Sequence, residues 1–102
     1  MILEHALLHV DPALSEEFEK AFGTAKSIIS AVPGFIRLHL SHCMESPQQY
    51  LLLVEWESLE AHTVGFRQSD GYQRWRELLH HFYDPFPVVE HYETVVEEGS
   101  PT

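Results

Sequence analysis

The order in which strand and helix patterns follow one another most constrains the fold of this chain. Aliphatic residues dominate Ile2–Val10, and a helical pattern then runs from Asp11 to a break at Pro33-Gly34. Asp11 followed by Pro12 is a favoured sequence at the start of a helix, and Pro33-Gly34 is typical of a helix end. The apolar positions between them recur at 3.6-residue spacing. They are Leu14, Phe18, Ala21, Phe22, Ala25, Ile28, Ile29 and Val32.

A hairpin is predicted next. Phe35–Met44 has strand alternation that places Phe35 and Arg37 on the same face. A polar turn separates it from Tyr50–Trp56, which reads as a third strand. The two strands therefore pair.

A second helical stretch and a last strand complete the pattern. Ser58 is predicted to cap this stretch, and Ser69 or Asp70 caps its continuation, which ends before the Asp84–Pro87 break. Val88–Val96 then reads as a fourth strand.

The resulting order, β-α-β-β-α-β, predicts an α+β ferredoxin-like fold. Right-handed crossovers favour a four-stranded antiparallel sheet with strand order 4-1-3-2 and both helices on one face. Residues 1–96 are predicted to form one domain, and residues 97–102 a loose tail. The uncovered sheet face needs a partner, and a second copy of the chain would supply it, so we expect a homodimer.

Composition excludes several classes of function. The net charge of −10 and the lack of a basic run argue against nucleic-acid binding and against an anionic membrane surface. No apolar run approaches the ~20 residues that span a bilayer, and Glu4, His5 and His9 interrupt the N-terminal aliphatic stretch, unlike a signal peptide. Cys43 is the single cysteine, which points to a reducing cytoplasm.

Aromatic residues of the second helical stretch are candidates for a binding wall. His62 and Phe66 lie four residues apart, and Tyr72 and Trp75 continue at helical spacing after the break. Together they could sandwich a flat organic molecule by stacking. An ordinary hydrophobic core would have the same spacing, so both interpretations stay open.

Two histidines and two arginines are the candidates for chemistry. The pKa of an ordinary histidine, near 6.5, suits His62 to take a phenolic proton at neutral pH, and His91 on the fourth strand could face the same space. Arg67 and Arg76 could stabilise a phenolate or a developing superoxide by charge. The structural alternatives are a half-buried histidine bonded to a carbonyl and surface arginines paired with carboxylates.

The sequence contains no motif typical of a metal site or of a nucleotide cofactor. The most plausible metal grouping joins His5 or His9 on the first strand with His91 on the fourth, but no HxxxH motif or cysteine pair accompanies it. No glycine-rich phosphate loop or dinucleotide motif occurs either. We therefore expect no metal and no cofactor.

Several short motifs resemble a known family. They are Pro33-Gly34-Phe35, Val54-Glu55-Trp56-Glu57-Ser58 followed by Glu60-Ala61-His62, Phe66-Arg67-x-Ser69, and Val89-Glu90-His91-Tyr92. The chain is thereby similar to the antibiotic biosynthesis monooxygenase domain along nearly its whole length. The resemblance implies a dimeric α+β barrel, in which two ferredoxin-like sheets face each other. Some members oxidise polycyclic phenols or quinols with dioxygen and no cofactor, others degrade haem, and many have no established reaction.

The haem-degrading branch has a functional pattern that this chain lacks. That branch uses an Asn on the first strand, a Trp on the second helix and an iron-ligating His on the third helix. His5, Phe66 and Arg76 stand at those places, so haem degradation is not expected. The resemblance favours a cofactor-independent monooxygenase acting on a small aromatic, phenolic or quinol-type compound.

The alternative is a non-catalytic ligand-binding or stress-related protein of the same fold. A water-sized gap between helices and sheet would favour this alternative. A sizeable pocket on which His62 and an arginine converge would favour the enzyme.

Overall fold

The computed structural model describes residues 1–99 and has the predicted order of elements. The strands are β1 (Ile2–His9), β2 (Phe35–His42), β3 (Gln49–Trp56) and β4 (Val89–Glu93). The helices are α1 (Ser15–Ser30) and α2 (Asp70–Leu79), with a π-helix at Ala61–Phe66 and short 3-10 turns at Pro12–Leu14 and His80–Phe82. None of these helices is both long and apolar enough to cross a bilayer.

The four strands form one antiparallel sheet with the order β2-β3-β1-β4, as predicted. Alternate residues of the central strands are buried under the helices, and we call this side the covered face. In β1 it carries Glu4, Ala6 and Leu8. The other side, the open face, carries Leu3, His5, Leu7 and His9 from β1, together with Leu51, Leu53, Glu55, Arg37, His39, Ser41, Glu90 and Tyr92.

Side-chain caps explain where the helices start. Asp11 Oδ1 accepts a hydrogen bond from the Ala13 N–H at 3.0 Å, although this opens a 3-10 turn that precedes α1. Ser69 Oγ accepts from the Tyr72 N–H at 3.3 Å and caps α2. The hydroxyl of Ser58 accepts from the Ala61 N–H at 3.2 Å. The three caps expected from the sequence are thus present.

The core lies between the covered face and the two helices. From α1 it receives Phe18, Phe22, Ala25 and Ile29, and from α2 Trp75 and Leu79. The two helices approach closely at Gly71, where a Cβ atom would lie 2.9 Å from Ile28 Cγ2.

Two details of the sheet differ from the predictions. A bulge between Phe35 and Arg37 breaks the alternation, so Phe35 lies opposite Trp56 and packs against its ring with centroids 5.9 Å apart. Arg37 instead faces the open side, opposite Glu55. The fourth strand is shorter than Val88–Val96, because it pairs with β1 only from Val89 to Glu93.

The predicted tail is exposed as far as it is described. Glu97, Glu98 and Gly99 form no strand or helix. Residues 100–102 lie outside the described part of the chain.

Candidate active site

Glu4 is the centre of the candidate site. It lies in β1 between its neighbours in the sheet, opposite Val54 of β3 on one side and His91 of β4 on the other. Its position on the covered face leaves the side chain only 6% exposed. A carboxylate is rarely buried this deeply unless polar partners receive it.

Two rings provide those partners. Trp56 donates through Nε1 to Glu4 Oε1 at 3.0 Å. His62 Nε2 lies 3.3 Å from the same oxygen, an electrostatic contact between two buried side chains. Since both contacts fall on Oε1, the second carboxyl oxygen of Glu4 is engaged by neither ring.

His91 extends this arrangement towards the edge of the sheet. His91 Nε2 lies 2.8 Å from His62 Nδ1. Because Nε2 of His62 faces a carboxyl oxygen, we assign the proton to Nε2, and Nδ1 then accepts from the Nε2–H of His91. Glu4, His62 and His91 thus form a continuous chain of polar contacts from the core to half-buried His91, with a hydrogen bond between the two imidazoles.

The π-helix places His62 over the sheet. Its wider turn is marked by the hydrogen bond from the Arg67 N–H to the His62 carbonyl, at 3.1 Å. The imidazole stacks on Trp56, with ring centroids 5.3 Å apart and an interplanar angle of 20°. Phe66 packs on the side of the imidazole with centroids 6.2 Å apart. The ring is therefore held by packing as well as by hydrogen bonds.

Burial controls the protonation of this chain of residues. Desolvation, together with the charges of Arg67 and His91, lowers the pKa of His62 to about 3, so the imidazole is neutral at physiological pH. Burial raises the pKa of Glu4, and the Trp56 hydrogen bond and the charge of Arg67 offset this in part. The pKa of His91 is lowered by burial and by Arg67.

A small cavity adjoins Glu4 and His62 between the sheet and α2. Its volume is about 50 Å³, room for roughly three or four water molecules, whereas sites for drug-sized ligands usually measure about 300–1,000 Å³. Besides Glu4 and His62, the lining consists of Ala6, Leu8, Leu52, Phe66, Arg67, Tyr72, Trp75, His80, Tyr83, Phe86, Pro87 and Val89. The wall is thus mainly aromatic and apolar, with a carboxyl group, two imidazoles and a guanidinium group.

The candidates from the sequence are distributed unevenly around this cavity. His62, Arg67, Phe66, Tyr72 and Trp75 all line it. His91 lies behind His62 and reaches the cavity through it. Arg76 is exposed on α2 outside this lining, although its charge lowers the pKa of His80.

Sequence reasoning missed Glu4 and the hydrogen bond that Trp56 donates to it. A signal for Glu4 was available, because alternation in β1 places it on the same face as Ala6 and Leu8. A carboxylate at an inward position of a central strand indicates a site or a buried hydrogen-bond network. His80 and Tyr83 also line the cavity, but they follow α2 in a 3-10 turn whose direction the spacing does not reveal.

The metal grouping considered from the sequence is not formed. His5 faces Glu90 on the open side, whereas His91 lies opposite Glu4 on the covered side. Within residues 1–99, no three His, Cys, Asp or Glu side chains are placed to hold a metal ion together.

The fold and this site define a class: a ferredoxin-like α+β protein with a buried carboxyl–imidazole chain beside an aromatic cavity. The sequence profile of the antibiotic biosynthesis monooxygenases matches residues 1–78. The chain belongs to this family.

Relatives extend the similarity over most of the chain. YczJ, an uncharacterized protein of Bacillus subtilis strain 168, is 56% identical over 95 residues, which cover 93% of this chain and all of YczJ. A crystal structure from Bordetella bronchiseptica that carries the family's name has a TM-score of 0.87 and 34% identity, covering 93% of this chain and 97% of that one. SnoaB from Streptomyces nogalater, described as a cofactor-independent oxygenase, has a TM-score of 0.71 and 19% identity, with 99% and 97% covered.

Proposed function

We propose that this protein is a cofactor-independent monooxygenase that acts on a small aromatic compound of the phenol or quinol type. The observation that carries the proposal is the convergence of Glu4, His62 and Arg67 on one aromatic cavity. A buried acid–base pair and a cation are the groups required to form and stabilise a phenolate.

The reaction needs no external reductant, because the substrate itself supplies the electrons. The Glu4–His62 pair removes the phenolic proton. The para carbon of the resulting phenolate then reduces dioxygen and forms a C–O bond with it, which gives a peroxide anion. Transfer of the para hydrogen as a proton to the outer oxygen of the peroxide anion, together with heterolysis of the O–O bond, gives a quinone carbonyl and releases hydroxide. The released hydroxide takes up a proton and leaves as water, so one oxygen atom enters the product and the other forms water.

Arg67 and the aromatic wall have separate parts in this scheme. The guanidinium group of Arg67 stabilises negative charge, first on the phenolate and then on the reduced oxygen. Phe66, Tyr72 and Trp75 stack on the substrate ring and keep water out of the cavity.

Binding of a ring requires the cavity to widen from about 50 Å³. Phe86 is the lining side chain best placed to move, because it is 59% exposed and follows the end of the second helical stretch. It contacts the ring of His80 with centroids 4.9 Å apart. Rotation of Phe86 away from His80 would enlarge the cavity.

The proposal includes a homodimer as the assembly of the protein and the cytoplasm as its compartment. A second copy of the chain covers the open face in this scheme, which gives a homodimer with facing sheets and buries the leucines of β1 and β3. The reducing cytoplasm is its compartment. The description of SnoaB as a cofactor-independent oxygenase supports the proposed chemistry, although its 19% identity shows a shared fold alone.

The second candidate function is ligand binding without catalysis. The small volume of the cavity favours it, because about 50 Å³ admits water but not an aromatic ring without rearrangement. The convergence of His62 and Arg67 favours the enzyme.

Oxygen consumption with a panel of phenols and quinols tests the proposal. We expect turnover with at least one of them, one ¹⁸O atom from ¹⁸O₂ in the product, and no dependence on added metal or flavin. Replacing Arg67 by Gln should slow turnover by about 10- to 1,000-fold through lost charge stabilisation. Arg74→Gln, an exposed site on α2 next to a different groove, is the matched control and should not change the rate.

Saturable ligand binding without oxygen consumption on any compound of the panel would instead favour the non-catalytic function.

A further inference from the structure

His62 is poorly placed to accept a proton directly, because both nitrogens of its ring are engaged. Nε2 faces Glu4 Oε1 at 3.3 Å, and Nδ1 faces His91 Nε2 at 2.8 Å. A substrate proton could reach His62 only if one of these contacts were first broken. The ring also packs against both Trp56 and Phe66, whose own centroids lie 6.0 Å apart, so the three rings form a triangle.

Glu4 has the free acceptor that His62 lacks. It lines the cavity, and its contacts with Trp56 and His62 both use Oε1. A carboxylate has four lone-pair positions on two oxygens, so Oε2 keeps its capacity to accept a hydrogen bond from a phenolic O–H.

We infer that Glu4 is the catalytic base of the proposed reaction. Trp56 and His62 act as positioning residues that fix the carboxylate by donating to Oε1. His91 holds His62 in the tautomer that points an N–H at Glu4. This assignment rests on the proposed function, and it names a residue of β1 as the group that touches the substrate.

The proton transfer is balanced within the site. The phenolic O–H bond breaks, its proton moves to Glu4 Oε2, and the electron pair stays on the substrate oxygen. The carboxylic acid later returns that proton to the hydroxide released from the O–O bond. His62 and His91 keep their protons throughout.

The environment of Glu4 suits this exchange. The titratable and charged groups around it are His62, Arg67, Tyr72, His80, Tyr83 and His91. Burial raises the pKa of Glu4, which brings a carboxyl closer to neutral pH and makes it a better base once ionised. The charge of Arg67 limits this rise and keeps the ionised form accessible.

Binding of 4-nitrophenol tests the assignment without requiring turnover, because its phenolate and phenol forms have different absorption spectra. Below the pKa of the free phenol, we expect the parent protein to bind it as phenolate, with a new carbonyl stretch of a protonated carboxyl in the infrared difference spectrum. Glu4→Gln preserves the size of the side chain and an acceptor oxygen. It should bind the neutral phenol and lack the new carbonyl band.

Glu90→Gln is the matched control, because it removes one carboxylate from the neighbouring strand β4, on the open face. This variant should bind the phenolate as the parent does. Where a phenol is turned over, Glu4→Gln should lower kcat by about 10²–10⁴-fold, the usual effect of a positioned base. Near-ultraviolet circular dichroism checks that both variants are folded.

The role of His62 is tested by a pair of variants. His62→Leu removes the N–H donor to Glu4, so the pH at which bound phenolate forms should move upwards. His62→Gln can still donate through its amide and should restore much of the parent's pH profile. A merely structural role of His62 would lower the fraction of folded protein without moving this pH.

The outcomes separate the inference from the proposed function. If the parent binds no phenol from the panel, the proposed function fails and the assignment of Glu4 fails with it. If the parent binds phenolate and Glu4→Gln does so equally well, the site binds phenols but Glu4 is not the base. Loss of phenolate binding in His62→Gln with retention in Glu4→Gln would assign the base to His62.

Discussion

Glu4 and His5 are neighbours in β1, yet they lie in opposite environments. Glu4 is buried under the π-helix and α2. There Trp56 donates a hydrogen bond to Glu4 Oε1, and His62 Nε2 lies 3.3 Å from the same oxygen. His5 lies on the open face, and its ring meets Tyr92 edge-on with centroids 5.6 Å apart. Coverage by the helices, more than residue type, therefore decides whether an ionisable side chain in this sheet acquires fixed polar partners.

The two faces also differ in how they contribute to stability. The covered face completes the core within one chain, and the proposed homodimer would bury the open face. Variants that affect one face and spare the other therefore test this division.

The largest expected effect is on folding of the single chain. Leu8 is 2% exposed on the covered face, and Leu7 is 37% exposed on the open face. Leu8→Ala should lower the free energy of unfolding by about 2–5 kcal/mol, the usual cost of a buried leucine. Leu7→Ala should cost the dilute protomer less than about 1 kcal/mol. Urea unfolding measures both, and equal losses at low protein concentration would contradict the division between the faces.

A smaller effect is expected in the pH dependence of stability. The pKa of His62 is about 3 in the native protein and about 6.5 in the unfolded chain. Between these values the unfolded chain binds a proton that the native protein does not, so stability falls as pH is lowered, by at most about 1.4 kcal/mol per pH unit. Burial lowers the pKa of His80 and His91 and acts in the same direction, whereas the raised pKa of Glu4 acts in the opposite one.

His62→Gln should therefore reduce the loss of stability between about pH 6 and pH 4 in thermal unfolding. His39→Gln, an exposed site on the open face, is the control and should leave the parent's slope intact. An unchanged slope in His62→Gln would mean that His62 is protonated in the native protein.

The smallest effect concerns the ion pair of Arg37 and Glu55 on the open face. Arg37 Nε lies 2.6 Å from Glu55 Oε2, and the two side chains are 39% and 19% exposed. A pair with this exposure contributes about 0.2–1 kcal/mol, so Arg37→Gln should barely change the unfolding of the dilute protomer. If a second copy covers this face, the same variant should weaken the dimer, because Glu55 is then buried without its arginine. Light scattering over a range of concentrations measures this, and a monomer at micromolar concentration would contradict the homodimer.

Much of the fold could be predicted because its signals are local. Periodicity defined the helices, turn residues separated the elements, and crossover handedness then gave the strand order. The bulge at Phe35 could not be predicted in this way, since it depends on how β2 pairs with β3. The early end of β4 likewise depends on the length of its partner β1.

The site was less accessible to prediction for a similar reason. The four-residue spacing of His62 and Phe66 indicated a shared face, and both side chains are buried together. The partners of His62 come from β1, β3 and β4, which lie far from it in sequence. Only the register of the sheet brings Glu4 and His91 opposite each other, and no local pattern contains that register.

The π-helix has a consequence for how related chains should be aligned. A π-turn contains one residue more than an α-turn, so removal of one residue between Ala61 and Phe66 would allow an ordinary α-helix without moving its ends. The imidazole would then rotate by roughly 100° about the helix axis and lose the carboxyl of Glu4. We therefore expect homologues with a single-residue gap at this segment to share the fold without the Glu4–His62 contact.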